Sequence, residues 1–236
     1  MYTLKLVICS FTFDLLFLIS TLLYAPLVII FAPLLTLIQR QIIVAYWSRW
    51  ILWLLKVICG IQISISGSEN ITAKPFIVLS NHQSTFEALF LQQTFIPSTT
   101  AVKRELLHIP LFGWVLALLK PICIDREHKT RAGLRLLEQG TQALNNGQSV
   151  ILFPGGTRVS FGENEVIKMG GFRLASVSKY SILPIAHNAG ICWPARQWLK
   201  YPGTIDVFIG QPIITNTNPR ELVECYTQWH KQFFEN

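Results

Sequence analysis

The segment Asn81-His82-Gln83-Ser84-Thr85-Phe86-Glu87 directly follows the apolar run Phe76-Ile77-Val78-Leu79-Ser80. An imidazole and a carboxylate therefore stand close together just past a strand-like stretch, where α/β proteins often present binding and catalytic groups. One chemistry for the pair is acid–base. Glu87 accepts a hydrogen bond from one nitrogen of His82, fixes the tautomer, and leaves the other nitrogen to take a proton from a hydroxyl. The same residues also spell an ordinary helix start, with Ser84 or Thr85 as N-cap and Glu87 favoured by the helix dipole in the first turn. Spacing alone leaves both readings open.

Two further groups of residues carry possible chemistry. Phe153-Pro154-Gly155-Gly156-Thr157-Arg158 follows the run Val150-Ile151-Leu152. Its glycines let main-chain donors approach an anion, its threonine can donate, and an arginine fork matches phosphate. A plain Gly-Gly turn beside a solvated arginine accounts for it equally, and no GxxxxGK[ST] pattern marks a nucleotide loop. Lys103-Arg104-Glu105-Leu106, followed by Ile109-Pro110-Leu111-Phe112-Gly113-Trp114, offers two cations for an anionic headgroup and apolar residues for an acyl groove. A solvated basic turn leading into a core helix is the alternative. His108, His128, His187 and His230 have no acidic partner at a useful spacing and are assigned no catalytic role, although His187 can line the site.

The elements that must position these residues fall into two parts: residues 1–58 as hydrophobic membrane-anchoring helices, and 59–236 as an α/β domain. Hydrophobic residues make up 51% and charged residues 14% of the 236-residue chain, against the roughly 25% charged of ordinary soluble domains. The excess lies at the front: Leu15 to Ile38 carries no charge, and Ile42 to Ile58 is interrupted only by Arg49 and Lys56. The first stretch is long enough to cross a bilayer, but Pro26 and Pro33 are expected to divide it into two pieces. Trp47, Trp50 and Trp53 near Arg40, Arg49 and Lys56 predict interfacial placement, and the favoured arrangement is a helical pair in one leaflet. The run is too long for the apolar region of a cleaved leader. A net charge of +7 suits an anionic bilayer surface, and no basic run with interleaved aromatics points to nucleic acid. The five cysteines are scattered, so neither a disulfide framework nor a zinc site is expected, and the α/β part is read as facing a reducing cytosol.

Beyond Gly60, strands are expected at 61–66, 75–80, 149–153, 182–186 and 204–209. A helix over 129–146 would bury Leu134, Leu137, Thr141 and Leu144. A last helix capped by Asn218-Pro219 would dock Leu222, Tyr226, Trp229 and Phe233.

Taken in order, these blocks resemble the glycerolipid acyltransferase family, most closely its bacterial lysophosphatidic acid acyltransferases. Asn81 to Glu87 is similar to the family's NHxSxxD block, Lys103 to Trp114 to its second block, and Ile124-Asp125-Arg126 to the segment that follows. Phe153 to Arg158 is similar to FPEGTR, and Leu183-Pro184-Ile185-Ala186 with Asn188 and Gly190 to the last block. The resemblance implies an α/β fold, a mixed sheet flanked by helices, behind an N-terminal membrane-associated helical pair. It implies His82 as general base on the free hydroxyl of a lysophospholipid, oriented by Glu87. It implies Lys103, Arg158, Thr157 and Gly156 at the acceptor phosphate, with Asn81, Ser84, Gly155 and Pro154 in support. Attack on the thioester of acyl-CoA or acyl-carrier protein would be direct, with no cofactor and no metal, at the cytoplasmic side of an inner membrane.

The chain departs from the family at two of these positions. Glu87 stands where the family usually has Asp, which keeps the charge and changes the reach. Gly155 stands where it has Glu, which removes a carboxylate beside Thr157 and Arg158. The second departure keeps other acceptors in view, namely a lysophospholipid with a larger headgroup or an acylated amino-acid lipid. A catalytically silent lipid-binding protein is the reading from another class.

Overall fold

The computed structural model describes residues 2–72, 75–125, 128–163, 166–215 and 218–233. Helix α1 (Tyr2–Phe31) runs unbroken through Pro26, and Pro33 sits in a short 3-10 turn beyond its end. The apolar stretch Leu15 to Ile38 is therefore divided into two helical pieces as expected, but at Pro33 alone; α1 carries Pro26 without a break. A buried face including Phe13, Ala25 and Val28 holds the helix in place across the missing donor. Helix α2 (Leu37–Cys59) begins on a reciprocal capping box, in which Thr36 and Gln39 satisfy each other's main-chain donors. It ends at Gly60, whose φ of 66° is the left-handed conformation that glycine adopts without a Cβ penalty.

The rest is a seven-stranded sheet in the order β1-β7-β6-β2-β5-β3-β4. The strands are β1 (Ile61–Ser66), β2 (Ile77–Ser80), β3 (Ser98–Lys103), β4 (Ile122–Ile124), β5 (Ser149–Leu152), β6 (Ile182–His187) and β7 (Gly203–Ile209). β6, β2, β5, β3 and β4 are mutually parallel, whereas β7 is antiparallel to β6 and parallel to β1. The continuous apolar runs of β2, β5 and β6 are buried along their whole length, as parallel strands covered on both faces must be. β3 and β4 escape sequence reading: Ser98-Thr99-Thr100 has no apolar signal, and β4 is too short to show one.

Two layers cover the sheet. On one face, Val78, Ile151, Leu183 and Ile205 share a core with Phe13 of α1, with Ile51 and Leu55 of α2, and with Phe86 and Phe90 of α3 (Phe86–Thr94). On the other, Ile77, Leu79, Val150 and Ile182 meet α5 (Lys129–Asn145), α6 (Gly170–Ser178) and α8 (Pro219–Lys231). Short α4 (Phe112–Leu118) and α7 (Ala189–Cys192) complete the set. The expected face of α5 is rotated: Ala132, Leu136, Gly140, Ala143 and Leu144 are buried, while Leu134 is exposed. Small residues win because α6 comes close; a Cβ on Gly140 would lie 2.7 Å from Leu174. On α8, Asn218 caps the amides of Arg220 and Glu221, Leu222 and Tyr226 are buried, and Phe233 stacks on Phe208 of β7.

The N-terminal helices are joined to this body by specific polar contacts. Gln41 of α2, fully buried, donates to the Ser98 carbonyl (2.6 Å) and accepts from the Ser98 amide (3.0 Å). Trp47, expected at a lipid interface, instead turns inward to Phe17 and donates to Ser20 of α1. Trp50 and Trp53 are exposed and stack on each other. Replacing Gln41 by Leu leaves a buried donor and a buried acceptor at Ser98 unpaired. At about 1–3 kcal/mol for each, urea unfolding should show stability lower by about 2–6 kcal/mol; a loss below about 0.5 kcal/mol would contradict this docking role.

Candidate active site

Because β2, β5, β3 and β6 are parallel, their C-terminal ends share one edge of the sheet, and the singled-out segments emerge there together. Asn81, the first residue past β2, bridges to the end of β6. Its Nδ2 donates to the His187 carbonyl (2.8 Å), and the His187 amide donates to its Oδ1 (3.0 Å). The His187 ring is itself fixed: Nε2–H donates to the Asn81 carbonyl (3.0 Å), and Nδ1 accepts from the Ala189 amide (3.2 Å). This pattern requires a neutral imidazole. Gln83 makes a parallel tie, accepting from the Gly190 amide (3.1 Å).

Within this frame His82 Nδ1 lies 2.6 Å from Glu87 Oε1. The same oxygen accepts from the amides of Gln83 (2.9 Å) and Ser84 (2.8 Å). Glu87 is fully buried, so its role exceeds that of a first-turn residue answering a helix dipole. Thr85 holds the N-cap position without a side-chain capping bond, and it is Ser84 Oγ that accepts from the Phe86 amide (3.2 Å). Glu87 reaches back instead to the turn that carries His82. Burial pushes its carboxyl upward, but the His187 ring, the hydrogen bond and charge of His82, and the Ser84 amide together hold it below the usual carboxylate range. Burial likewise pushes the His187 imidazole below its ordinary value, against the pull of Glu87.

With Nδ1 donating to Glu87, the neutral His82 ring carries a bare Nε2 on its other side. Its side chain is 20% exposed, which leaves a way in for a hydroxyl. The ring stacks on Phe153 at the end of β5, centroid to centroid 4.2 Å and 16° from parallel. The amide of Val159 donates to the His82 carbonyl (2.9 Å), so both segments form one surface.

The 153–158 loop turns at Gly156, whose φ is 69° and whose amide donates to the Phe153 carbonyl (2.9 Å). That amide is thus engaged within the turn. Pro154 and Gly155 are buried beneath, and Thr157 and Arg158 are exposed. Arg158 Nη1 reaches Thr85 Oγ1 at 3.4 Å. A cation that sequence reading passed over lies here: a Cβ on Gly156 would be 2.5 Å from Lys168 Nζ, and the Lys168 amide donates to the Pro154 carbonyl (3.0 Å). Nine residues lie between Arg158 and Lys168 in the sequence, so no local pattern signals that Lys168 comes to Gly156.

Lys103 ends β3 at the same edge with its side chain exposed, and no hydrogen bond or ion pair joins it to the 153–158 loop among the described residues. Arg126 of the Ile124-Asp125-Arg126 block lies outside the described residues. No cluster of three or more His, Cys, Asp or Glu able to hold a metal occurs among the described residues.

The family model described as Acyltransferase matches residues 62–188, a span that includes His82, Glu87, the 153–158 loop and His187. A 1-acyl-sn-glycerol-3-phosphate acyltransferase of Pseudomonas aeruginosa is 44% identical over 207 residues, covering 87% of this chain and 80% of that protein. One of Saccharomyces cerevisiae is 32% identical, covering 83% of this chain and 66% of that protein. The crystal structure of the 1-acyl-sn-glycerophosphate acyltransferase PlsC from Thermotoga maritima superposes with a TM-score of 0.83 over 100% of this chain and 97% of that one; at 21% identity the likeness is one of fold. The chain belongs to the acyltransferase family.

The neutral His187 sets a pH dependence of stability. Unfolded, a histidine takes a proton near pH 6.5; folded, His187 does so only at lower pH, so stability present above about 6.5 is lost as pH falls. Glu87 adds a further loss below about pH 4.3 as its carboxylate is protonated. Denaturant unfolding at about pH 7.5 and 5.5 should show a smaller loss for His187→Asn than for the natural chain. Equal losses would contradict a buried neutral imidazole.

Proposed function

We propose that this protein is a 1-acyl-sn-glycerol-3-phosphate acyltransferase, moving an acyl chain from acyl-CoA or acyl-carrier protein to the free sn-2 hydroxyl of lysophosphatidic acid. The observation that carries the reading is the buried Glu87 carboxylate fixing His82 through Nδ1 at 2.6 Å. His82 Nε2 takes the hydroxyl proton as the oxygen attacks the thioester carbonyl. The new C–O bond forms, the C–S bond breaks, and the proton passes from His82 to the departing thiolate, giving phosphatidic acid and free thiol. No acyl-enzyme is needed. Ser80 and Ser84, each two residues from His82, are both fully buried; Ser80 Oγ donates to the Asn81 carbonyl and Ser84 Oγ accepts from the Phe86 amide, which is no posture for a nucleophile.

The acceptor phosphate is assigned to Arg158, the Thr157 hydroxyl and amide, and Lys168 over Gly156, with Lys103 approaching from β3. Gly155 leaves this site without the carboxylate that the family motif carries. An acceptor panel including larger headgroups is therefore part of the test.

Two observations support an anchor lying in one leaflet. The outward residues Leu4, Ile8, Phe11, Leu15, Leu18 and Leu22 recur along nearly the whole front of α1, while its opposite side is buried on the protein. α2 repeats this with Ile38, Ile42, Tyr46, Trp50, Trp53 and Val57 outward. Each helix is long and apolar enough to cross a membrane. A stripe on one side with a protein body on the other suits a helix lying along the bilayer surface. The catalytic edge would then meet its lipid from the cytoplasmic side of the inner membrane.

Purified protein in detergent, with oleoyl-CoA and lysophosphatidic acid, tests the reading. His82→Ala should lose about 10²- to 10⁴-fold in kcat, the usual worth of a general base; equal turnover by variant and natural protein would refute it. Arg158→Ala should raise the acceptor KM about tenfold, roughly 1.4 kcal/mol, with donor KM unchanged. A change confined to donor KM would remove Arg158 from the acceptor site.

A further inference from the structure

The segment 193–202 between α7 and β7 has no regular structure, yet it walls a cavity of about 280 Å³. Asp14, Phe17, Thr85, Trp193, Trp198 and Lys200 line that cavity. Thr85 belongs to the catalytic turn and touches Arg158, so the cavity borders the acceptor site proposed above.

One wall is fastened to the membrane helix through a buried charge. Lys200 is 2% exposed. Its ammonium donates to the Asp14 carboxylate and to the Trp198 carbonyl, and it sits over the rings of Phe13 (5.4 Å) and Trp193 (5.9 Å). The Lys200 amide donates to Ser10 Oγ (2.9 Å). Ser10, Phe13 and Asp14 occupy about one turn of α1, and all three grip one residue of the loop. Asp14 is the sole acidic residue in that helix. Asp14 is 44% exposed and Lys200 only 2%; a buried ammonium is costly unless paired, so the carboxylate fixes where Lys200 sits.

We propose that Asp14 and Lys200 are positioning residues which make α1 a working wall of the acceptor site: the pair holds the 193–202 segment against the catalytic turn and thereby sets affinity for the lysophospholipid. Neither residue touches the His82–Glu87 hydrogen bonds. Breaking the pair loosens the cavity wall and leaves the proton-transfer geometry intact. The inference rests on the acceptor reading of Thr85 and Arg158.

The experiment compares the natural protein with Asp14→Asn, Lys200→Met and the double variant, in mixed micelles of lysophosphatidic acid. Each single change should raise the acceptor KM about tenfold with kcat held within about threefold, and the double should be no worse than the weaker single, because one interaction is lost. Unchanged acceptor KM, or a fall in kcat with KM unchanged, overturns the proposal. Amide hydrogen exchange gives a readout free of turnover: residues 193–201 should exchange faster in both singles while 82–90 keep their protection, and unaltered exchange overturns the latch whatever the activity. Should the singles fail to fold, Trp198→Ala, on the half-exposed side of the same cavity, should raise the acceptor KM, and a normal KM refutes the wall. Absence of turnover by the natural protein would instead refute the acyltransferase reading.

Discussion

One carboxylate oxygen, Glu87 Oε1, receives an imidazole N–H and two successive main-chain N–H groups, with the whole side chain out of water. A buried charge persists only where such donors replace its hydration, each worth about 1.5–3 kcal/mol when the acceptor is ionised. The requirement dictates the shape of the 82–85 turn, because three donors must converge on one point. That shape in turn sets where β2 stops, where α3 begins, and which ring nitrogen of His82 is left bare. The Asn81 and Gln83 ties to the end of β6 and to α7 hold the turn against the sheet, so the catalytic geometry is a property of the strand order rather than of a free loop.

The extra methylene of Glu87 relative to aspartate finds its explanation here. The carboxylate sits one position inside the helix and must reach back to the turn preceding it, over a path crossed by two amides. Its second oxygen points toward His187 Nε2 at 3.8 Å, a ring already occupied by Asn81 and Ala189. His187 thus supplies a neutral, polar floor beneath the carboxylate without competing for its proton.

Much of this was legible in the sequence because strand ends are written as apolar runs followed by polar turns. β2, β5 and β6 lie within a residue or two of their expected limits, and the two segments that follow β2 and β5 meet at the His82–Phe153 stack. Illegible were features that depend on contacts remote in the chain. The buried face of α5 follows α6, not the leucines of α5 itself. Trp47 turns inward because Phe17 and Ser20 of α1 offer it partners. Lys168 comes to rest over Gly156 by a loop whose path no periodicity encodes. Pro26 failed as a helix breaker because packing of Tyr24 and Val28 against α2 and α4 outweighs one missing hydrogen bond.

Nitrogen-15 NMR of histidine-labelled protein observes the tautomer of His82 directly, with His82 assigned by its disappearance in His82→Ala. Neutral His82 should show a protonated Nδ1 and a bare Nε2, and Glu87→Gln should move the population toward the other tautomer. A neutral His82 carrying its proton on Nε2 in the natural protein would contradict its role as general base, for that ring could not accept a proton from a hydroxyl on its open side.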